Sequence, residues 1–92
     1  MRTPLDAVQT DNGNYSMKEI VEIMARALVD QPQAVSVKEI SGAHSSIVEL
    51  SVAKDDVGKI IGKQGRTADA MRTIVSAVSA KTKKRSVLEI ID

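Results

Sequence analysis

Val57-Gly58-Lys59-Ile60-Ile61-Gly62-Lys63-Gln64-Gly65-Arg66 is the stretch on which the reading of this 92-residue chain turns. Two glycines three apart stand between the end of one apolar segment and the start of another. Glycine has no Cβ, so the pair permits a tight reversal and lets one backbone approach another closely. Amide groups at the start of a following helix would then face an anion, assisted by the positive end of the helix dipole. Lys63 and Arg66 would set mobile charge beside those amides, and Val57, Ile60 and Ile61 would offer an aliphatic wall. In isolation a G-x-x-G is also an ordinary turn, so its surroundings decide.

Upstream, Ser16-Met17-Lys18-Glu19 has the S-x-x-E spacing in which hydroxyl and carboxylate reciprocally satisfy exposed backbone donors. Ile20, Ile23, Met24, Ala27 and Leu28 then recur at helical spacing, and Asp30-Gln31-Pro32 stops the run, predicting a helix over 17–29. The period changes to two at Val35 and Val37 and again at Val48, Leu50 and Val52, with a polar turn over 41–46, which predicts a hairpin. Lys54-Asp55-Asp56 offers an N-cap and favourable negative charge to a short helix that ends at Gly62. Downstream of Gly65, Ala68, Met71, Ile74, Val75 and Val78 mark one face of a long helix from about Arg66 to near Thr82. A β-branched run at 87–91 predicts a last strand in the same sheet. The order is α-β-β-α-α-β, an α+β fold with three helices packed on a three-stranded sheet.

Composition narrows the chemistry. The length fits one small domain. Residues 1–16 are polar apart from a few positions and predict a flexible tail, leaving 17–92 as the folded unit. Zero cysteines and one histidine remove thiolate catalysis, disulfides and the usual zinc sites, consistent with a reducing cytoplasm. No stretch approaches the roughly 18–20 consecutive apolar residues of a membrane span. Phe and Trp are absent and Tyr15 is the one aromatic residue, so nucleic-acid binding would have to work without aromatic stacking.

The net charge of +1 hides an uneven distribution. Residues 1–53 carry four basic and seven acidic groups, whereas 54–88 carry nine basic (Lys54, Lys59, Lys63, Arg66, Arg72, Lys81, Lys83, Lys84, Arg85) and three acidic. Such clustering is the footprint of a polyanion partner, and equally of a solvated face whose lysines offset a helix dipole.

Competing sites fail on spacing or on missing partners. A Walker loop needs G-x-x-x-x-G-K-[ST], and the segment from Gly58 to Gln64 is one residue short, with Gln in place of the hydroxyl. There is no G-x-G-x-x-G after a strand. His44 lies in a polar turn and reads as a solvated loop residue; Asp55 and Asp56 read as a helix start without a third metal ligand. His44-Ser45-Ser46 has nucleophile and base types but no orienting acid or oxyanion loop, so no enzyme activity is expected.

The stretch resembles the I-I-G-x-x-G signature of KH domains, and the element order resembles their type II arrangement, over about residues 17–92. It is most similar to the small bacterial KhpA family, through residues 57–66 followed by Ala70-Met71-Arg72. The resemblance implies a cytoplasmic, cofactor-free protein that clamps about four nucleotides of single-stranded RNA and acts as an RNA chaperone or post-transcriptional regulator. By position it assigns RNA to Lys59, Ile60, Ile61, Gly62, Lys63, Gln64, Gly65 and Arg66. The glycines would shape the loop, Lys63 and Gln64 form its tip, Arg66 flank the phosphates, and Ile60 and Ile61 line or support the groove. It also implies a homodimer and a heteromer with a larger KhpB (Jag)-type protein. Single-stranded DNA stays open as a ligand. So does a second reading, in which an aliphatic patch near Ile60 and Ile61 is a protein-interaction surface and RNA contact is secondary.

Overall fold

The computed structural model describes residues 15–82 and 84–91. The expected flexible tail therefore lies outside the described residues except for Tyr15 and Ser16. Ser16 is a helix cap: Glu19 N–H donates to Ser16 Oγ at 3.0 Å and Ser16 N–H donates to Glu19 Oε1 at 3.2 Å. Helix α1 follows over Met17–Leu28, with Val29 as its C-cap. Strand β1 is Ser36–Ser41 and β2 is Ser45–Ser51, so both strands run further into the polar segment than the turn expected at 41–46. Helix α2 is Val57–Ile61, α3 is Arg66–Thr82 and β3 is Arg85–Ile91. Short 3-10 turns at Pro32–Ala34, Lys54–Asp56 and Lys63–Gly65 join these elements.

The sheet has the order β1-β2-β3. β1 and β2 form an antiparallel hairpin with Val37 opposite Leu50 and Ile40 opposite Ile47. β3 joins β2 in parallel, Val48 opposite Leu88, after a crossover that contains α2 and α3. A parallel pair requires such a connection, because strands that point the same way cannot be joined by a tight turn. This is the type II KH arrangement.

Side chains alternate across the strands, and the inner set, Val37, Val48, Leu50 and Leu88, is buried beneath the helices. Ile60 of α2 and Met71 and Val75 of α3 complete that core. The buried seam of α1 is Met17, Val21 and Ala25, rather than the expected stripe of Ile20, Ile23, Met24, Ala27 and Leu28. Eight of the twelve α1 residues are apolar, so helical periodicity fits neighbouring stripes almost equally well and packing against the sheet selects one. Ile20, Ile23 and Met24 are half-buried, and Ala27 and Leu28 are exposed. Similarly, Ile74 of α3 points away from the core, 44% exposed.

Asp55 and Asp56 do not cap α2. Asp56 is instead buried, and its two carboxylate oxygens accept the backbone N–H groups of Asp30 (3.3 Å) and Gln31 (3.0 Å), beyond the end of α1. A long-range demand for hydrogen-bond acceptors has displaced the local capping role.

Candidate nucleic-acid interface

Helix α2 ends because Gly62 adopts φ +76° and ψ 172°, a conformation almost confined to glycine. Its N–H donates to Gly58 O at 2.8 Å, closing the helix, and the Gly65 N–H donates to Gly62 O at 3.1 Å, closing the reversal. Gly65 lies at φ +74° and Gln64, with a side chain, at φ +56°. Three of the four loop residues are thus left-handed, and the reversal brings the chain directly to the start of α3. A Cβ on Gly62 would fall 2.2 Å from Thr67 Oγ1, so the loop lies flush against the first turn of that helix.

The resulting tip presents Lys63 and Gln64 to solvent, with exposed Arg66 beside them. The backbone N–H groups of the first α3 turn have no partners within the helix and carry its positive dipole end. Asp69 in this turn opposes an anion, but Arg72 stands 3.7 Å from its carboxylate. The two isoleucines separate: Ile60 has no exposed surface and anchors α2 in the core, whereas Ile61 is 37% exposed beside the loop. Lys59 is directed backwards, its ammonium 3.1 Å from the Asp30 carboxylate and 3.7 Å from that of Asp56. The hydrogen bond and charge of Asp30 hold its pKa above the usual lysine value.

Among the described residues, grooves run along α3 on both its β3 side and its α1 side. One, of about 220 Å³, runs between α3 and β3 and is lined by Arg72, Ser76, Ser79 and Arg85 to Leu88. Arg72 and Arg85 were visible in the sequence as part of the basic segment; that α3 and β3 bring them to one groove is a tertiary fact. The other, of about 310 Å³, is apolar and runs between α1 and α3, lined by Met24, Ala27, Leu28, Thr67, Ala70, Met71 and Ile74. His44 lies in the exposed hairpin turn, where its backbone oxygen accepts the Arg85 N–H at 3.3 Å. Among the described residues no group of His, Asp and Glu is placed to hold a metal ion, and no helix is long and apolar enough to cross a membrane.

A three-stranded mixed sheet with a G-x-x-G reversal between two crossover helices defines a KH domain of type II. Residues 18–90 match the sequence profile described as KhpA/KhpB, KH domain, and the chain belongs to that family. It is 57% identical over 75 residues to the RNA-binding protein KhpA of Caldanaerobacter subterraneus subsp. tengcongensis, covering 82% of this chain and all of the relative. Its identity to the RNA-binding protein KhpA of Clostridium perfringens is 55% over the same length and coverage. To that of Aquifex aeolicus it is 48% over 77 residues, covering 84% of this chain and 98% of the relative. A crystal structure of Aquifex aeolicus Era bound to GDP·AlF4− superposes with a TM-score of 0.56 at 21% identity, covering 80% of this chain and 29% of that one. That likeness concerns the fold alone.

Proposed function

We propose that the protein binds single-stranded RNA, without catalysis, through the reversal at residues 62–65. About four nucleotides lie across Ile61, the loop and Arg66, as in KH clamps generally. The observation that carries this reading is the loop itself: three left-handed residues hold Lys63 and Arg66 beside the positive dipole end of α3. The naming of the relatives as RNA-binding proteins supports it. The α3–β3 groove, with Arg72 and Arg85, extends the basic track beyond the loop. In the cell this activity fits an RNA chaperone or post-transcriptional regulator working in the cytoplasm, alone or with a larger KhpB-type partner.

The test is a salt-dependent titration of short single-stranded RNA and matched DNA against the wild type and the Lys63→Asp, Gln64→Asp double variant. Binding should weaken linearly on a logarithmic salt scale, with a slope of about −0.7 for each phosphate neutralised. The folded variant should lose it. Retention of affinity by the variant would remove the loop from the site, and a preference for DNA would change the substrate.

A specific observation also favours self-association. Leu28 (39%) and Ile74 (44%) are exposed on the rims of the apolar α1–α3 groove, and Ile60 is unavailable to any such surface. A second copy seated there would give a homodimer, and two RNA sites joined in this way gain avidity only where one RNA strand reaches both. Sedimentation of the Leu28→Lys, Ile74→Lys variant decides this: a dimer in the wild type that persists in the variant excludes the groove.

A further inference from the structure

The loop is held by a lever whose fixed end lies outside it. Helix α2 has five residues, far fewer than a helix needs to persist unaided in water. Its only fully buried side chain is Ile60, and its far end rests on the first turn of α3 through Gly62 and Thr67. A further point of attachment precedes it: the buried Asp56 carboxylate, which takes the Asp30 and Gln31 amides. Lys59, one turn on, bridges the carboxylates of Asp56 and Asp30 and ties the same two segments from the solvent side. Gly62 lies six positions beyond Asp56, roughly 9 Å along a helix axis. A small rotation at the Asp56 end therefore becomes a displacement of the loop tip.

We infer that Asp56 and Lys59 are positioning residues for the RNA loop, and that Lys59 acts through the Asp30 and Asp56 carboxylates rather than as a phosphate contact. The inference rests on the RNA-binding reading above and refines it, because Lys59 lies in the stretch assigned to RNA. Its ammonium already faces two carboxylates, and the raised pKa reflects the same pairing. With two carboxylates around one ammonium the cluster is net negative, so it repels a phosphate rather than neutralising one. Asp56 contributes more than Asp30, since charge-assisted hydrogen bonds in a buried setting are stronger than an exposed pair, and the Asp30 carboxylate is largely exposed.

The experiment compares the full chain with Lys59→Met, Lys59→Arg, Asp56→Asn and Lys63→Ala. The readouts are salt-dependent titration with an end-labelled, mixed-sequence single-stranded RNA and amide hydrogen exchange. Lys59→Met and Asp56→Asn should weaken binding roughly two- to thirtyfold, the range expected when a mutation acts on a site from outside it. Their salt slope should stay that of the wild type, whereas Lys63→Ala should flatten the slope by about 0.7. Exchange at Gly62 and Gly65 should quicken while Val48 and Leu50 in β2 keep their protection. Lys59→Arg, which can bridge the same carboxylates, should restore both affinity and protection.

A slope flattened by Lys59→Met as much as by Lys63→Ala would make Lys59 a phosphate contact and overturn the inference. So would unchanged loop exchange in both Lys59→Met and Asp56→Asn. Should Asp56→Asn fail to fold, the exposed Lys59→Met carries the comparison. If the wild type binds no RNA, the proposed function fails, and exchange at Gly62 and Gly65 still decides whether the strut positions the loop.

Discussion

Gly62 and Thr67 are in such close contact that a Cβ on the glycine would fall 2.2 Å from Thr67 Oγ1, 2.6 Å from its Cβ and 2.9 Å from its backbone nitrogen. The last of these atoms cannot rotate away. Gly62→Ala should therefore cost about 1–3 kcal/mol for the forbidden backbone conformation alone, with the clash added. Gly65→Ala, with φ +74° but open space around it, should cost only about 1–2 kcal/mol. Urea denaturation of the two variants checks the ranking. Adding Thr67→Ala should not rescue Gly62→Ala, because the backbone contact remains.

Gln64 holds a left-handed conformation with a side chain attached, which separates loop shape from loop chemistry. Gln64→Asn, a residue type that tolerates this region, should leave stability nearly unchanged. Gln64→Val, branched at Cβ, should lose about 1–2 kcal/mol. If the two variants melt alike, the loop relaxes readily and its strain plays no part in presenting Lys63.

Arg72 and Arg85 line the same groove from different elements. On the reading that RNA follows this groove, Arg72→Ala and Arg85→Ala should each flatten the salt slope by about 0.7, one phosphate apiece, and weaken all sequences alike. A change confined to one RNA sequence would instead assign the arginine to a base.

The reciprocal Ser16–Glu19 cap fixes where α1 begins. Ser16→Ala should cost about 0.5–2 kcal/mol, and for a domain of this size each kcal/mol lowers Tm by roughly 4–8 °C. Calorimetry reads this directly, and an unchanged Tm would mean that the first turn frays without consequence.

Local chemistry was legible in the sequence, and long-range chemistry was not. The S-x-x-E spacing located Ser16 as the cap, and the two glycines located the end of α2 and the start of α3, because those signals are read within four residues. The element order and the basic segment followed from periodicity and charge. The seam of α1 was misread because Met17, Val21 and Ala25 compete with adjacent apolar stripes that only the sheet distinguishes. Asp56 carries no local sign that its acceptors serve amides 25 and 26 residues earlier. The same blindness hid the groove shared by Arg72 and Arg85 and the backward turn of Lys59, since each depends on which elements become neighbours.

The parallel pairing of β2 with β3 gives the site a place in time as well as in space. The hairpin of β1 and β2 closes through a short turn, but β3 can pair only after residues 52–84 have been laid across the sheet, and non-local closure of that kind is slow. The glycine loop lies inside this crossover. Synthesised from its N-terminus, the chain exposes every residue of the loop before β3 exists to hold α3 down. On the proposed reading, competence for RNA then waits until residues 85–91 have emerged and added themselves to β2.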